Sequence, residues 1–313
     1  MTPTSQLFLN REVGWLKFNK RVLFQASDER NPLLERLRFL NIFQSNLDEF
    51  FMKRVGGLQR QFYARVSTLS PDGLTAEEQL KMLRPQVLAI HTEVKDLLQN
   101  QLLPELQNQQ IFLLSWSELT DREKEWGKSF FRERIFSVLT PMAVDPGHPF
   151  PLISNLSTSL AVSLQVPNED DMLFARIKIP DVFPAWIRIP DTAPGLERFV
   201  SVLEIIRHHL DQLFPRMQIQ NIMAFRVTRN ADIETDTEGV EDLLELIEEE
   251  VKQRKFAEVV RLEHGPNPDP WLLDFLLDEL DLTADDVYEY PASLEYQNLA
   301  AIVSLNLPQL KYK

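Results

Sequence analysis

The chain reads as a helical bundle followed by an α+β domain with a mixed or antiparallel sheet. Three observations predict this. The first hundred or so residues carry apolar positions at helical spacing between short breaks. Strict two-residue alternation begins only at "LAVSLQVP", residues 160 to 167. The later strands and helices mingle without a regular βαβ repeat, which argues against a doubly wound sheet. The division is expected near residue 106, giving a helical domain over 1–106 and an α+β domain over 107–313.

In the first domain, "NREVGWLKFNKRVLFQASD" spaces Val13, Leu16, Phe18, Val22 and Leu23 as one helix face and stops before Asn31-Pro32. "PLLERLRFLNIFQ" begins with Pro32, a favourable first-turn residue, and continues through Leu33, Leu37, Leu40 and Phe43. A third helix is expected from about Leu47 to Val66. The turn "SPDGL" leads through Thr75 into a fourth that reaches about Leu103, with a kink or split at Pro85.

Beyond it, "TDREKEWGKSFFRERIFSVL" predicts a helix with Thr120 as cap and Glu123 as its capping-box partner. "TPMAVDPGHPFPLISN" packs five prolines or glycines into eleven residues and reads as an ordered loop. "LAVSLQVP", "FARIKIP" and "AWIRIP" read as strands. A helix follows over about Phe199 to Phe214, then the strand "MAFRVTRNADIE" and the acidic helix "GVEDLLELIEEEVKQRK". The strand "AEVVRLEHG", the helix "PDPWLLDFLLDEL" and the strand "DVYEYPA" complete the pattern.

Composition bounds the function. Over 313 residues, hydrophobic content of 44% with 10% aromatics supports real cores. The absence of cysteine excludes disulfides and thiolate metal sites and suits a reducing compartment. No signal-like start or membrane-length apolar run is present, so a cytoplasmic protein without a transmembrane segment is expected, with peripheral membrane association as the other option. Residues 1–106 hold 14 Lys and Arg against 12 Asp and Glu, leaving 19 against 35, a net of −16, for the rest. Nucleic-acid binding is disfavoured there, because it depends on basic groups displacing counterions from phosphates.

The usual catalytic signatures are missing. Nine glycines form neither GxxxxGK[ST] nor GxGxxG, and no GxSxG or HExxH occurs. None of the five histidines has the spacing of a closed zinc site. His91 and Lys95 read as a surface pair, and His148 as a loop brace. Glu245, Glu248, Glu249 and Glu250 followed by Lys252, Arg254 and Lys255 read as a solvated helix face. Arg229, Asn230 and Asp232 read as an Asn/Asp turn at a strand end.

"NIFQSNLDEFF", residues 41 to 51, is the ambiguous stretch. At about 100° per residue, Leu40, Phe43, Leu47, Phe50 and Phe51 share an apolar arc, Asn46 lies at its edge, and Asp48 and Glu49 point away. Asn46 is therefore either a half-buried interhelix hydrogen bonder or the N-cap of a new helix with Glu49 reaching back. The capped alternative places a positive helix end near Asn46, with Lys53, Arg54 and Arg60 beyond it.

These residues resemble a known family. "FLNREVGWLKFNKRVLFQASDERNPLLERLRFLNIFQSNLDEFFMKRVGGL" is similar to the N-terminal helical domain of type-1 polyphosphate kinases. "LTPMAVDPGHPFPLISNLSTSLAVSL" and "FRVTRNADIETDTEGVEDLLELIEEEVKQRKFAEVVRLE" resemble the head domain that follows it. The resemblance implies a magnesium-dependent enzyme that moves the terminal phosphate of ATP reversibly onto polyphosphate through a phosphohistidine. It also implies that the histidine and metal residues belong to two further phospholipase D-like domains, so this chain alone is expected to be inactive. Asn46 matches the asparagine that contacts the nucleotide in this family, and the head domain implies a homo-oligomer. No residue of the chain is carried over as catalytic or metal-binding. The competing reading is a non-catalytic scaffold or adaptor that binds a protein partner through its acidic α+β domain.

Overall fold

The computed structural model describes residues 8–144, 147–167, 171–190, 192–231, 257–290 and 292–312. Helix α1 (Arg11–Ser27) starts at Asn10, whose side-chain oxygen accepts the backbone N–H groups of Glu12 and Val13 at 3.0 Å each. Helix α2 (Leu33–Glu49) follows Pro32 and does not end where a third helix was expected. It passes without a break into a π-helical turn, Phe50–Val55, and then into α3 (Gly56–Tyr63). Helix α4 (Ala76–Leu97) opens on a Thr75–Glu78 capping box and runs unsplit through Pro85. A second π turn, Leu98–Leu102, joins it to α5 (Leu103–Asn108). Helix α6 (Asp121–Phe130) carries the expected Thr120–Glu123 capping box.

Nine strands form two sheets among the described residues. The smaller has the order β1 (Ile111–Leu114), β6 (Glu197–Ser201), β5 (Trp186–Arg188), with β1 parallel and β5 antiparallel to β6. Residues 197 to 201 therefore form a strand where a helix start was expected. Phe199 and Val200 are paired on both sides, and Ser201 caps the short helix α7 (Val202–Arg207). The larger sheet contains β2 (Met142–Val144), β3 (Thr158–Gln165), β4 (Met172–Lys178), β7 (Gln218–Arg229), β8 (Val259–His264) and β9 (Val287–Glu289). Its order is β2-β4-β3-β7-β8-β9, antiparallel except for the β8–β9 pair. Helix α8 (Pro270–Leu280) is capped by Asp269, and the short helix α9 (Ala300–Val303) comes near the end of the chain.

Two cores result. The larger joins helix residues such as Leu16, Leu37 and Val94 to one sheet face through Leu160, Val162 and Ile177. The smaller lies on the opposite face, where α8 packs Leu272 and Leu276 over Phe225, Val227 and Leu262, and Phe275 stacks on Phe174 at 4.4 Å. Each fully buried Leu or Phe contributes roughly 1.5–3 kcal/mol. Among the described residues no helix is long and apolar enough to cross a membrane. The acidic stretch with Glu245 to Lys255, and Asp232, lie outside the described residues.

Candidate functional site

Asn46 sits in the last turns of α2, half-buried against α1. The buried Asn19 of α1 donates its Nδ2 to the carbonyl of Phe43 at 3.1 Å. A carbonyl only accepts, so this bond fixes the Asn19 amide with its oxygen toward Asn46. Asn46 Nδ2 donates to that oxygen at 3.0 Å. The Asn46 oxygen is then left without a donor among the described residues. The N-cap reading is overturned, because the helix continues past Asn46 into Phe50–Val55; the interhelix hydrogen bonder is what the structure shows. Around it, Trp15 stacks on Phe50 at 4.6 Å, and Arg54 pairs with Glu12 at 3.0 Å. Ile42, Ser45, Glu49 and Lys53 line the exposed side of the same helix, the last two as an i,i+4 ion pair.

Next to this strip a cavity of about 570 Å³ opens between α2 and the sheet domain. Gln44, Ser45, Asp48, Arg226, Gln297 and Phe183 are among its lining residues. Its floor is an ionic cluster. Asp48 accepts from Arg226 Nη2 and, at 2.6 Å, from Arg261 Nη2. Glu263 lies 3.2 Å from Arg226 Nη1 and 3.1 Å from Arg261 Nη2. Thr228 Oγ1 accepts from Arg261, Gln297 bridges Arg226 and Glu263, and the Arg261 guanidinium lies 4.2 Å from the Phe51 ring. Two cations and two anions thus balance in a largely buried site. Burial pushes the Asp48 carboxyl up, but the two guanidinium charges and their hydrogen bonds outweigh it and hold the group below its usual range.

Sequence reasoning missed this cluster. The helical wheel pointed Asp48 at solvent, and it is buried because the sheet covers a second flank of α2. A signal was available in the strands, where Arg226 and Thr228 of β7 alternate with apolar residues, as do Arg261 and Glu263 of β8. The register puts Arg226 opposite Glu263 and Thr228 opposite Arg261, a complementary cross-strand set.

Two further expectations are corrected. His91 is not a surface residue: it packs against Tyr288 and Tyr290, with Nδ1 3.2 Å from the Glu289 carbonyl. Burial first, and then the Arg261 charge, push its pKa down to about 4. Arg229 and Asn230 close the strand, as expected, but within the described residues they do not form the turn. Arg229 ends β7 as a buried residue, and the Asn230 N–H extends the pairing to the Glu258 carbonyl at 2.9 Å. Among the described residues no group of three or more His, Asp or Glu side chains could hold a metal ion.

A helical region packed on a mixed-sheet domain, with Asn46 and a neutralised ionic floor near their junction, defines a two-part architecture. Comparison with known proteins gives the family. The chain matches the polyphosphate kinase N-terminal domain over residues 8–114 and the polyphosphate kinase middle domain over residues 122–302. It belongs to the polyphosphate kinase family. Polyphosphate kinase of Thermosynechococcus vestitus is 44% identical over 310 residues, which cover 98% of this chain and 42% of the relative. That of Mycobacterium marinum is 43% identical over 310 residues, and that of Mycobacterium tuberculosis 41% over 317. The chain therefore spans less than half the length of the curated relatives it matches. The crystal structure of polyphosphate kinase from Porphyromonas gingivalis shares the fold, with a TM-score of 0.79 at 24% identity over 98% of this chain and 42% of that one.

Proposed function

We propose that this chain forms the N-terminal and middle part of an enzyme that transfers the terminal phosphate of ATP reversibly to polyphosphate. Its share is to contact the nucleotide through Asn46 and to bring subunits together. The observation that carries the reading is the match to both domains, in order, over nearly the whole chain. The Asn46 geometry supports it. One of the two Nδ2 hydrogens is committed to Asn19, and the second hydrogen and the amide oxygen suit an adenine edge or a ribose-phosphate oxygen.

The histidine that carries the phosphoryl group is proposed to belong to the part of the relatives' length that this chain does not match. The burial of His91 and His209 away from solvent is consistent with this. Among the described residues no group of three or more His, Asp or Glu side chains fits magnesium, and its ligands are proposed to lie with that histidine. Subunit association is supported by the edge strand β2, whose Met142 and Ala143 are exposed; light scattering checks it, and a monomer at all concentrations would end that part of the proposal.

The nucleotide role is tested by Asn46→Ala in the full-length enzyme. Losing one neutral hydrogen bond of about 1–1.5 kcal/mol raises the KM for ATP roughly tenfold, with the fold retained. A KM unchanged from wild type removes Asn46 from the nucleotide site.

A further inference from the structure

Asn19 directs a fully buried amide at a carbonyl that is already satisfied. Its Nδ2 donates to Phe43 at 3.1 Å. Phe43 lies inside α2, so its carbonyl also accepts the Leu47 N–H one helical turn on. The bond from Asn19 is thus a second one, and its consequence is orientation. It turns the Asn19 oxygen toward Asn46, whose Nδ2 donates to it at 3.0 Å. That oxygen can only accept. Rotating the Asn46 amide by half a turn would set two acceptors against each other and leave the buried one without its donor. The cost holds the flipped amide to roughly a tenth of the population or less.

An isolated asparagine reads no base in particular, because rotation about one bond exchanges its oxygen and nitrogen. On Asn46 that exchange is blocked. Its oxygen points away from Asn19 and, with the second Nδ2 hydrogen, forms a fixed acceptor and donor edge on the half-buried side of α2. Adenine offers the complement, an N6–H donor next to a ring-nitrogen acceptor, and asparagine pairs with both. Guanine and hypoxanthine carry an oxygen at C6 instead, so the same edge sets acceptor against acceptor. Ile42, exposed one turn earlier on the same helix, offers apolar surface for a purine face.

We propose that Asn19 is a positioning residue that makes the nucleotide site selective for 6-aminopurines, by locking the Asn46 amide in the orientation that accepts from adenine N6. The lock rests on the reading of Asn46 as a nucleotide contact. It adds the part of the nucleotide that is recognised and the residue that enforces the choice.

The test is steady-state kinetics of the full-length enzyme with ATP, GTP and ITP. Wild type prefers ATP to the other two. Asn19→Leu, close in volume, frees the amide, and the preference in kcat/KM falls about tenfold, with the change in KM rather than kcat. Asn19→Asp, held neutral by burial, donates its hydroxyl to Phe43 and accepts from Asn46, so it keeps the preference. Asn19→Leu added to Asn46→Ala changes the preference no further. Should Asn19→Leu fail to fold by circular dichroism, Asn19→Ala removes the same acceptor and gives the same loss.

Equal losses with all three nucleotides make Asn19 a packing residue and overturn the lock. A wild type that uses ATP and GTP alike does so too, as does a shift by Asn19→Leu that survives in Asn46→Ala. An unchanged KM for ATP in Asn46→Ala alone removes the nucleotide reading and the lock with it. A raised KM there, beside an unmoved preference in Asn19→Leu, removes the lock only.

Discussion

Asp48→Ala removes one of two acids from the buried cluster with Arg226, Arg261 and Glu263. Two guanidinium groups are then left sharing one carboxylate, and one positive charge is uncompensated away from water. Removing one partner from a buried ion pair costs roughly 3–5 kcal/mol, mostly the penalty of the orphaned charge. For a chain of this size about 2 °C is lost per kcal/mol, so the melting temperature falls by roughly 6–10 °C. Asp48→Asn keeps an acceptor and falls in between. Asp48→Leu combined with Arg226→Met restores charge balance around Arg261 and Glu263 and costs less than Asp48→Ala alone.

The pH dependence has a definite sign. The Asp48 pKa is held below its unfolded value, so its contribution is fully present above about pH 4 and is lost as pH falls through the folded pKa. Chemical denaturation followed by circular dichroism, repeated from neutral to acid pH, reads both quantities. A cost for Asp48→Ala below about 1 kcal/mol would falsify the charge-balance argument, because surface ion pairs are worth no more than that. So would a gap between wild type and Asp48→Asn that widens on acidification.

His91 gives a titration of the same sign at higher pH. Its folded pKa of about 4 lies below the ordinary 6.5, so the unfolded chain binds the extra proton between those values and stability falls as pH drops through that window. The full effect is roughly 3 kcal/mol, and His91→Gln should flatten the stability profile there; an unflattened profile assigns the slope to other groups. Gly56→Ala would set a Cβ 2.6 Å from Asn230 Oδ1, so a loss of about 1–3 kcal/mol is expected in denaturant melts. Pairing it with Asn230→Gly should recover part of that loss, and no recovery would mean that the clash is not the cause.

The elements legible in the sequence were those with local causes. The helix start after Thr75, the capping box at Thr120, the proline start of α8 and the alternation of β3 and β4 all lie within a few residues of their signals. What was not legible depended on neighbours far along the chain. Residues 197 to 201 are a strand because β1 and β5 flank them, and His91 is buried because β9, nearly two hundred residues later, lies over α4. The site divides in the same way. The Asn46 position was marked by spacing and its ligand suggested by family resemblance, whereas the cluster at Asp48 needs strands some 180 and 213 residues away.

The conflict in "NIFQSNLDEFF" has a physical resolution in the π turn that follows it. A regular α-helix keeps one apolar arc, but this helix must satisfy two partners. Upstream, Leu40, Phe43 and Leu47 belong to the core it shares with α1. Downstream, Phe51 meets Tyr288 edge-on at 5.1 Å and carries the Arg261 guanidinium on its face. The wider π turn rotates the residues after Phe50 relative to those before it. It also presents a backbone acceptor for tertiary use, since the Met52 carbonyl takes the Ala231 N–H at 2.8 Å. Such turns concentrate at functional sites because an insertion that weakens the helix persists only where it positions something. Here it leaves the strip carrying Ser45 and Asn46 uncovered while anchoring the next turn to the sheet. The same sequence that defeats a single helical wheel therefore keeps the Asn46 amide at the surface on a backbone fixed by the buried charges beside it.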